Sequence, residues 1–302
     1  MTRGALGSLD PGARRAVLRY GAFRALSSAG FATPFFVVFM IGNGVTYTDI
    51  GLGTSLMAVV VVGLEVPSGY LADAFGRRRT MFLGQTFLGL GTVGYVVADG
   101  TPDVLVTYLA FGLGAALRSG AGTAWFYDTL KGHDEEERFA AVSGRLGSYV
   151  KYVSTATMVG GGLLYVFEPV YAVTVGAAAN LLAAPVVLSI PTSRDADDAD
   201  DGVRPREAAR LTRAFLGRSA VRTVLVIAVL ASGALYTGSK YIQPVTFEAI
   251  PDGGYSAGGV VVPAALLVGA TYGAFELSSG LVLRYAETAR SRLGLGGTIA
   301  VA

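Results

Sequence analysis

Residues 47–71 read YTDIGLGTSLMAVVVVGLEVPSGYL, and residues 72–79 continue as ADAFGRRR. The first stretch is long and apolar enough to cross a bilayer, because about 20 apolar residues in an α-helix span roughly 30 Å of hydrocarbon. The second stretch contains a carboxylate, a glycine and three consecutive arginines, which is typical of a short loop at a membrane surface. An apolar span followed directly by a basic loop predicts a chain that crosses the membrane repeatedly.

The composition supports this prediction. Of the 302 residues, 52% are hydrophobic and 15% are charged, whereas soluble domains contain about 25% charged residues. The lack of cysteine excludes disulfides, thiolate catalysis and sulfur-ligated metals, and one histidine gives no basis for a histidine metal site. A formal net charge of +2 gives no support for nucleic-acid binding. We therefore expect an all-α polytopic membrane protein, monomeric in the lipid bilayer, without cofactor or metal.

A sliding window of about 20 residues predicts eight spans and the start of a ninth. The eight spans are 20–41, 47–71, 80–98, 104–127, 142–167, 170–190, 220–247 and 257–283. All but three of the 24 Lys and Arg residues precede or open the first span, or lie in every second loop or at the span end next to it, and the intervening loops contain none. By the positive-inside rule, the N-terminus is cytoplasmic, in a prokaryotic plasma membrane. The apolar run 294–302 is too short to cross, so we expect a longer gene product.

One long polar connector, residues 191–219, separates an N-terminal unit of six spans, 1–190, from a partial C-terminal unit, 220–302. The connector opens with five aspartates between 195 and 201. Such a density of like charges favours a solvated linker. The alternative is a Mg²⁺–diphosphate site, as in membrane-embedded metal-dependent transferases. That chemistry needs a second acidic cluster on a facing helix, and the sequence shows no suitable one.

An internal repeat relates the two units. Glu65, Ser68 and Gly69 at the end of the second span recur as Glu276, Ser279 and Gly280 at the end of the eighth, each 211 residues later. Pro34 and Pro244 are 210 residues apart, which aligns the first span with the seventh. A parallel duplication of this kind is how one large class of transporters is built, with the substrate between the repeats near the midplane.

The loop after the second span contains the most specific pattern. Gly69-Tyr70-Leu71-Ala72-Asp73-Ala74-Phe75-Gly76-Arg77-Arg78-Arg79 resembles the signature loop of the major facilitator superfamily, G-x-L-a-D-r-x-G-r-[kr], in the family's position between spans two and three. Ala74 replaces the usual basic residue. The resemblance implies a bundle of twelve spans, of which about a third would be missing here. It also implies a secondary transporter that works by alternating access, and not an enzyme.

The candidate gate residues are Gly69, Asp73, Gly76, Arg77, Arg78 and Asp128. We expect Gly69 to let two helices touch and Gly76 to permit a tight turn. Asp73 is placed to cap the third span. The arginines should pair with carboxylates of neighbouring helices, first of all with Asp128. Contacts of this kind hold one conformation and release in another.

Two further family patterns are partial. In the fourth span, Arg118 and Gly122 match R-x-x-q-G, although Ala121 replaces the glutamine. In the fifth, Gly144 and the pair Gly161–Gly162 resemble the glycine-rich motif of antiporters, although Met158 stands at its proline position. The direction of transport is therefore left open.

The three remaining basic residues, Arg118, Lys151 and Lys240, lie within predicted spans. A charge at the centre of a span costs about 2.5–3.5 kcal/mol on insertion scales, so each should face a partner or a water-filled cavity. At about 1.5 Å per residue, Arg118 and Lys151 lie at similar depths on successive helices. Two cations at one level favour an anionic small-molecule ligand or a carboxylate from another span. Snorkelling of the lysines to the membrane surface is the alternative.

The candidate substrate-binding residues are Arg118, Lys151, Tyr236, Lys240 and Gln243, the last three on one polar–aromatic stripe beside Pro244. Glu65 and Glu276 are candidates for proton coupling, because burial raises the pKa of a carboxyl towards neutrality. Ion pairs with nearby arginines are the alternative role for both. The predicted function is thus a secondary active transporter of a small molecule. A metal-dependent transferase and a non-transporting fragment remain alternatives.

Overall fold

A computed structural model describes residues 6–192, 240–251, 254–257 and 260–301, together with a few single positions between 217 and 238, and it describes side chains up to residue 285. The helices are α1 (Pro11–Ser27), α2 (Phe36–Gly42), α3 (Tyr47–Phe75), α4 (Arg77–Val97), α5 (Thr101–Lys131), α6 (Phe139–Phe167), α7 (Pro169–Leu188), α8 (240–248) and α9 (Ala264–Val301). A 3₁₀ turn, Glu136–Arg138, precedes α6, and strands β1 (Tyr255–Ala257) and β2 (Val260–Val262) pair antiparallel before α9. The predicted all-α class is confirmed.

Five helices of the described part of the chain are long and apolar enough to cross a membrane. They contain the segments Tyr47–Glu65, Arg77–Val97, Thr101–Lys131, Pro169–Leu188 and Ala264–Tyr285. Helix α6 has 29 residues but includes Arg145, Lys151 and several hydroxyl side chains, and it lies outside this set. Most of the predicted seventh span, 220–247, lies outside the described residues.

The first predicted span, 20–41, is not one helix. Helix α1 begins at Pro11, where the Asp10 carboxylate accepts hydrogen bonds from the backbone N–H groups of Gly12 and Ala13, and it ends at Ser27. The chain is then irregular until α2 begins at Phe36. Pro34 lies in this break, and proline lacks the N–H that a continuous helix needs. The predicted continuous span is therefore wrong between residues 28 and 35.

The eighth predicted span is wrong at both ends. It begins at Ala264 instead of 257, because the β-branched residues 260–262 form strand β2 and Pro263 disfavours a helical conformation in the residue before it. At the other end, α9 continues through the predicted loop 284–293 to Val301. Residues 284–293 contain no glycine or proline, and they include three arginines, two alanines, a glutamate and a leucine, which favour a helix. The predicted separation between an eighth and a ninth span is absent.

Glycines allow the helix backbones to approach one another closely at two seams. Between α4 and α5, a Cβ added to Gly114 would lie 2.6 Å from the Gly84 carbonyl oxygen. Between α6 and α9, a Cβ added to Gly162 would lie 2.7 Å from the Ala265 carbonyl oxygen. Small residues at helix crossings are the usual means of close packing in membranes. Helix α9 thereby packs along α6, although the two are far apart in the sequence.

We predict that Gly269→Val destabilises the seam between α6 and α9. A Cβ at position 269 would lie 2.7 Å from the Met158 carbonyl oxygen and 3.2 Å from the Gly162 Cα. Overpacking of this kind costs about 1–3 kcal/mol. The midpoint of thermal unfolding in detergent should therefore fall below that of the parent.

The matched control is Gly63→Val in α3, where an added Cβ meets nothing within 4 Å. Equal midpoints for the two variants would contradict close packing at Gly269.

Candidate functional site

The signature loop makes an abrupt turn between two long helices. Helix α3 ends at Phe75 and α4 begins at Arg77, so Gly76 alone forms the connection. Gly76 has φ +87° and ψ 135°, a conformation that side chains with a Cβ rarely adopt. The predicted role of Gly76 in a tight turn agrees with this geometry.

Arg77 pairs with Asp128, the carboxylate that the sequence suggested. The Arg77 guanidinium contacts the Asp128 carboxylate at the end of α5, and both side chains are largely buried, 23% and 19% exposed. Asp73 is 65% exposed and lies 3.9 Å from the same guanidinium. Both partners of the main ion pair belong to the N-terminal unit. The pair therefore fixes the loop to α5, and the role of the loop as a gate stays a prediction.

Two expectations for the loop are wrong in this structure. Asp73 does not cap α4, because the residue at the cap is Gly76 and the first turn receives no side-chain hydrogen bond. Asp73 instead lies in the last turn of α3, one turn before Arg77. Gly69 does not bring two helices together, because a Cβ added there would meet nothing within 4 Å.

Arg78 binds the end of α7. Its Nη1 donates to the Ile190 carbonyl at 3.2 Å. The indole N–H of Trp125 donates to the Pro191 carbonyl at 2.9 Å, and Arg19 donates to the Ser189 carbonyl at 2.9 Å. Helix α7 ends at Leu188, Ser189 is its C-cap, and Ile190 and Pro191 follow. Side chains therefore supply the hydrogen-bond partners that a continuing helix would have supplied to these carbonyls. Three helices thus converge on the end of α7.

Arg118 donates to a neutral partner, the side chain of Gln85 on α4. The guanidinium Nη1 donates to Gln85 Oε1 at 3.1 Å. The Gln85 Nε2 in turn donates to the backbone and side-chain carbonyl oxygens of Asn180 on α7, at 3.0 and 3.3 Å. Gln85 is fully buried, and its orientation is set by the two acceptors on Asn180. Among the described residues, no carboxylate forms an ion pair with Arg118.

Sequence reasoning missed two parts of this arrangement. Gln85 and Asn180 were not singled out, although a polar amide inside each of two apolar spans was a visible signal. Arg24 was counted only with the basic residues at the first span. It lies 5.9 Å from the centre of the Tyr20 ring and close enough to Arg118 for their charges to repel.

Lys151 pairs with Glu276 across the seam between α6 and α9. Lys151 Nζ lies 2.6 Å from Glu276 Oε2, and the two side chains are 37% and 23% exposed. One turn further along, Thr155 Oγ1 donates to the Gly273 carbonyl at 3.2 Å. Lys151 and Arg118 thus have different partners on different helices, and the structure does not join them in one site. Glu65, the other proton-coupling candidate, is exposed on α3.

Helix α8 carries two more of the predicted binding residues against the interrupted first span. Lys240 Nζ lies 4.9 Å from the centre of the Phe36 ring. Gln243 is 2% exposed and is hydrogen-bonded to backbone groups on both sides of Pro34. Tyr236 lies outside the described residues. Gln243 is therefore occupied by the protein itself in this conformation.

No group of described residues contains three His, Cys, Asp or Glu side chains able to hold a metal ion. The aspartates between 195 and 201, on which the transferase alternative depends, lie outside the part of the chain that the structure describes. The structure therefore does not test that alternative.

Comparison with known proteins identifies the family. The family model of the Major Facilitator Superfamily matches residues 21–302. A protein of Bacillus subtilis (strain 168) named "Putative transporter YoaB" is 32% identical over 103 residues, which are 32% of this chain and 23% of that protein. The match thus spans less than a quarter of YoaB. Together with the apolar helices, the family match makes this chain a multi-pass membrane protein, and the chain belongs to the major facilitator superfamily.

Proposed function

We propose that this chain forms part of a secondary active transporter that moves a small molecule by alternating access between the N-terminal unit, 1–190, and the C-terminal unit, 220–302. The contacts between these units are the observation that supports it best. Helix α8 packs on the interrupted first span, and α9 packs along α6. Two units joined by the polar connector 191–219 and touching at such seams can rock against each other, as parallel repeats do in transporters.

The substrate we propose is anionic. Arg118 lies inside an apolar helix and is bound by a neutral amide, so its charge is not cancelled by any described residue. Arg24 adds a second guanidinium nearby. Bringing a cation into a membrane is costly unless it faces water or a partner, and an anionic ligand would supply that partner. Gln85 would serve to aim the Arg118 guanidinium without neutralising it.

We predict that Arg118→Gln weakens stabilisation by anions. In the parent, small carboxylates should raise the midpoint of thermal unfolding in detergent, whereas size-matched neutral amides and amines should not. Charge-assisted hydrogen bonds contribute about 1.5–3 kcal/mol, so the apparent affinity should fall by at least about tenfold in the variant.

The matched control is Arg79→Gln, because Arg79 is an exposed arginine of the signature loop. Stabilisation of the parent by amines or amides but not by carboxylates would contradict an anionic substrate.

We assign proton coupling to Glu276. Its carboxylate attracts Lys151 across the seam between the two units. A proton on Glu276 would remove that attraction and loosen α9 from α6. Glu65 has no comparable contact, because it is exposed and no ion pair joins it to another described residue.

We predict that Glu276→Gln uncouples uptake from the proton gradient, because the amide cannot exchange a proton. In proteoliposomes, an imposed pH gradient should no longer drive uptake of the carboxylate that best stabilises the protein. Exchange of labelled for unlabelled compound should persist.

Glu65→Gln is the control and should retain uptake driven by the gradient. Full gradient-driven uptake by Glu276→Gln would refute the assignment. Failure of the parent to take up any carboxylate would favour the alternative of a non-transporting fragment.

We propose that the N-terminus and Arg77–Arg79 lie on the cytoplasmic side of a plasma membrane, and the distribution of basic residues among the loops supports this orientation. The loop would then contribute to the cytoplasmic gate, with Arg77 and Asp128 fixing its position.

We predict that Arg79→Cys is labelled by a membrane-impermeant maleimide only in inverted vesicles, and Asn43→Cys only in intact cells. Both residues are exposed, and the chain has no cysteine of its own. Labelling of both positions from the same side would overturn the orientation. Unchanged transport by Asp128→Asn would argue against a gate role for the ion pair.

A further inference from the structure

The break in the first span is closed by a side chain from the other unit. In a continuous helix, the Val37 N–H would donate to the Thr33 carbonyl. Here the Val37 N–H donates to Gln243 Oε1 at 3.0 Å, and Gln243 Nε2 donates to the Thr33 carbonyl at 2.8 Å. The Gln243 amide thus sits between the two backbone groups and satisfies both.

Three neighbouring contacts of α8 lie around this bridge. The Tyr241 hydroxyl donates to the Tyr47 carbonyl at the start of α3, at 3.1 Å. The rings of Phe247 and Phe35 lie edge to face at 6.1 Å. Lys240 lies over the ring of Phe36. We call the surface formed by Phe35, Phe36 and Tyr47, on which α8 packs, the Tyr47 face. Helix α8 closes this face in this structure.

We propose that Gln243 is a positioning residue that holds the Tyr47 face closed by completing the interrupted first span, and that it is not a ligand of the substrate. Backbone groups inside a membrane require partners. When α8 moves away, the Val37 N–H and the Thr33 carbonyl lose theirs, and water must reach them. The face thus closes when the Gln243 amide inserts between the Val37 N–H and the Thr33 carbonyl, and it opens when water replaces the amide at these two groups.

This device differs from an ion-pair gate in its response to pH. The Gln243 amide carries no charge and does not titrate, so closure of the face should not itself depend on proton concentration. A role of Gln243 in transport rests on the proposed function. Closure of the Tyr47 face by Gln243 is tested separately in detergent, where no transport is needed.

The reporter is Gly51→Cys, the sole thiol in a chain without cysteine. A Cβ at position 51 would lie 3.3 Å from the Tyr241 hydroxyl, so α8 covers this position while the face is closed. The second change is Gln243→Leu, which keeps the approximate size of the side chain and removes both hydrogen bonds. We expect maleimide labelling of the reporter to become about tenfold faster. Thr246→Val is the matched control on α8, because its hydroxyl donates to the Ile242 carbonyl of its own helix, and it should leave the rate unchanged.

Gln243→Glu gives a sharper test. A protonated carboxyl can accept from the Val37 N–H and donate to the Thr33 carbonyl, as the amide does. An ionised carboxylate cannot donate, so the Thr33 carbonyl loses its partner. The labelling rate, divided by that of the Gln243 parent at the same pH, should therefore be near one at pH 5 and approach the Gln243→Leu ratio at pH 8.5.

The ratio also removes effects common to both proteins, including those of the charged groups near Gln243, which are Lys240 and Glu248 on α8 and Asp49 on α3. The response should reverse when the same sample is returned to pH 5.

Parent-like labelling of both Gln243→Leu and Gln243→Glu at every pH would overturn the proposal, and so would a rate for Gln243→Glu that does not change with pH. Should Gln243→Leu fail to fold, the reversible response of Gln243→Glu decides alone, since it keeps both hydrogen bonds at low pH. A pH-dependent labelling ratio together with no uptake by any variant would contradict the proposed function but support this inference. Uptake together with a labelling ratio that does not change with pH would support the proposed function but contradict this inference.

Discussion

The structure depends on one constraint: backbone polar groups inside the membrane must find partners within the protein. Where a helix is broken, distant side chains supply them. The Gly30 N–H is bound by Thr157 on α6 at 2.8 Å, and the groups flanking Pro34 are bound by Gln243 on α8. The break in the first span therefore ties it to both units. Polar side chains within this bundle thus act as hydrogen-bond partners of the backbone.

The basic residues of the bundle have two kinds of partner. Arg78 and Arg19 donate to the backbone carbonyls of Ile190 and Ser189 at and just after the end of α7, and Lys151 pairs with Glu276. Arg118 differs from these cations in its position, because it lies inside an apolar helix and its described hydrogen bond is to a neutral side-chain amide. A cation that is positioned but not neutralised is suited to bind an anion, whereas a paired cation is suited to hold helices together. This difference of partners is why we separate the proposed substrate contact from the proposed coupling pair.

The seam between α6 and α9 combines close packing with charge. Glycines on both helices bring the backbones together, and Lys151 and Glu276 face each other within the same seam. Close approach leaves little room for water, so a change in charge there acts directly on the packing. The interrupted first span and α8 form a second contact between the units, which is held by an uncharged amide. The two contacts would thus respond differently to protons.

Much of the fold could be predicted from local hydropathy. The predicted spans 47–71, 80–98, 104–127 and 170–190 correspond to α3, α4, α5 and α7 within a few residues. The first predicted span is wrong because Pro34 lies in a break of the helix inside an apolar run. The eighth is wrong because a short hairpin precedes its helix and because the helix continues into a polar segment. Average hydropathy over a window of residues does not detect these features. In the candidate site, the pairing of Arg77 with Asp128 could be predicted because Asp128 is a carboxylate at the inner end of the predicted fourth span, at the same membrane surface as the loop. Gln85 was not, because a single amide in an apolar helix does not indicate which neighbour it faces.

The sequence by itself determined the membrane class, the all-helical architecture and the family, since these follow from the length of apolar runs, the position of charges and one specific loop. Only the tertiary structure decided which polar groups meet. It separated Arg118 from Lys151 and assigned Gln243 to the backbone around Pro34. The physical reason is that hydropathy depends on residues adjacent in the chain. Hydrogen bonds and ion pairs between helices depend instead on their rotation and depth, which are set by packing across more than a hundred residues of sequence.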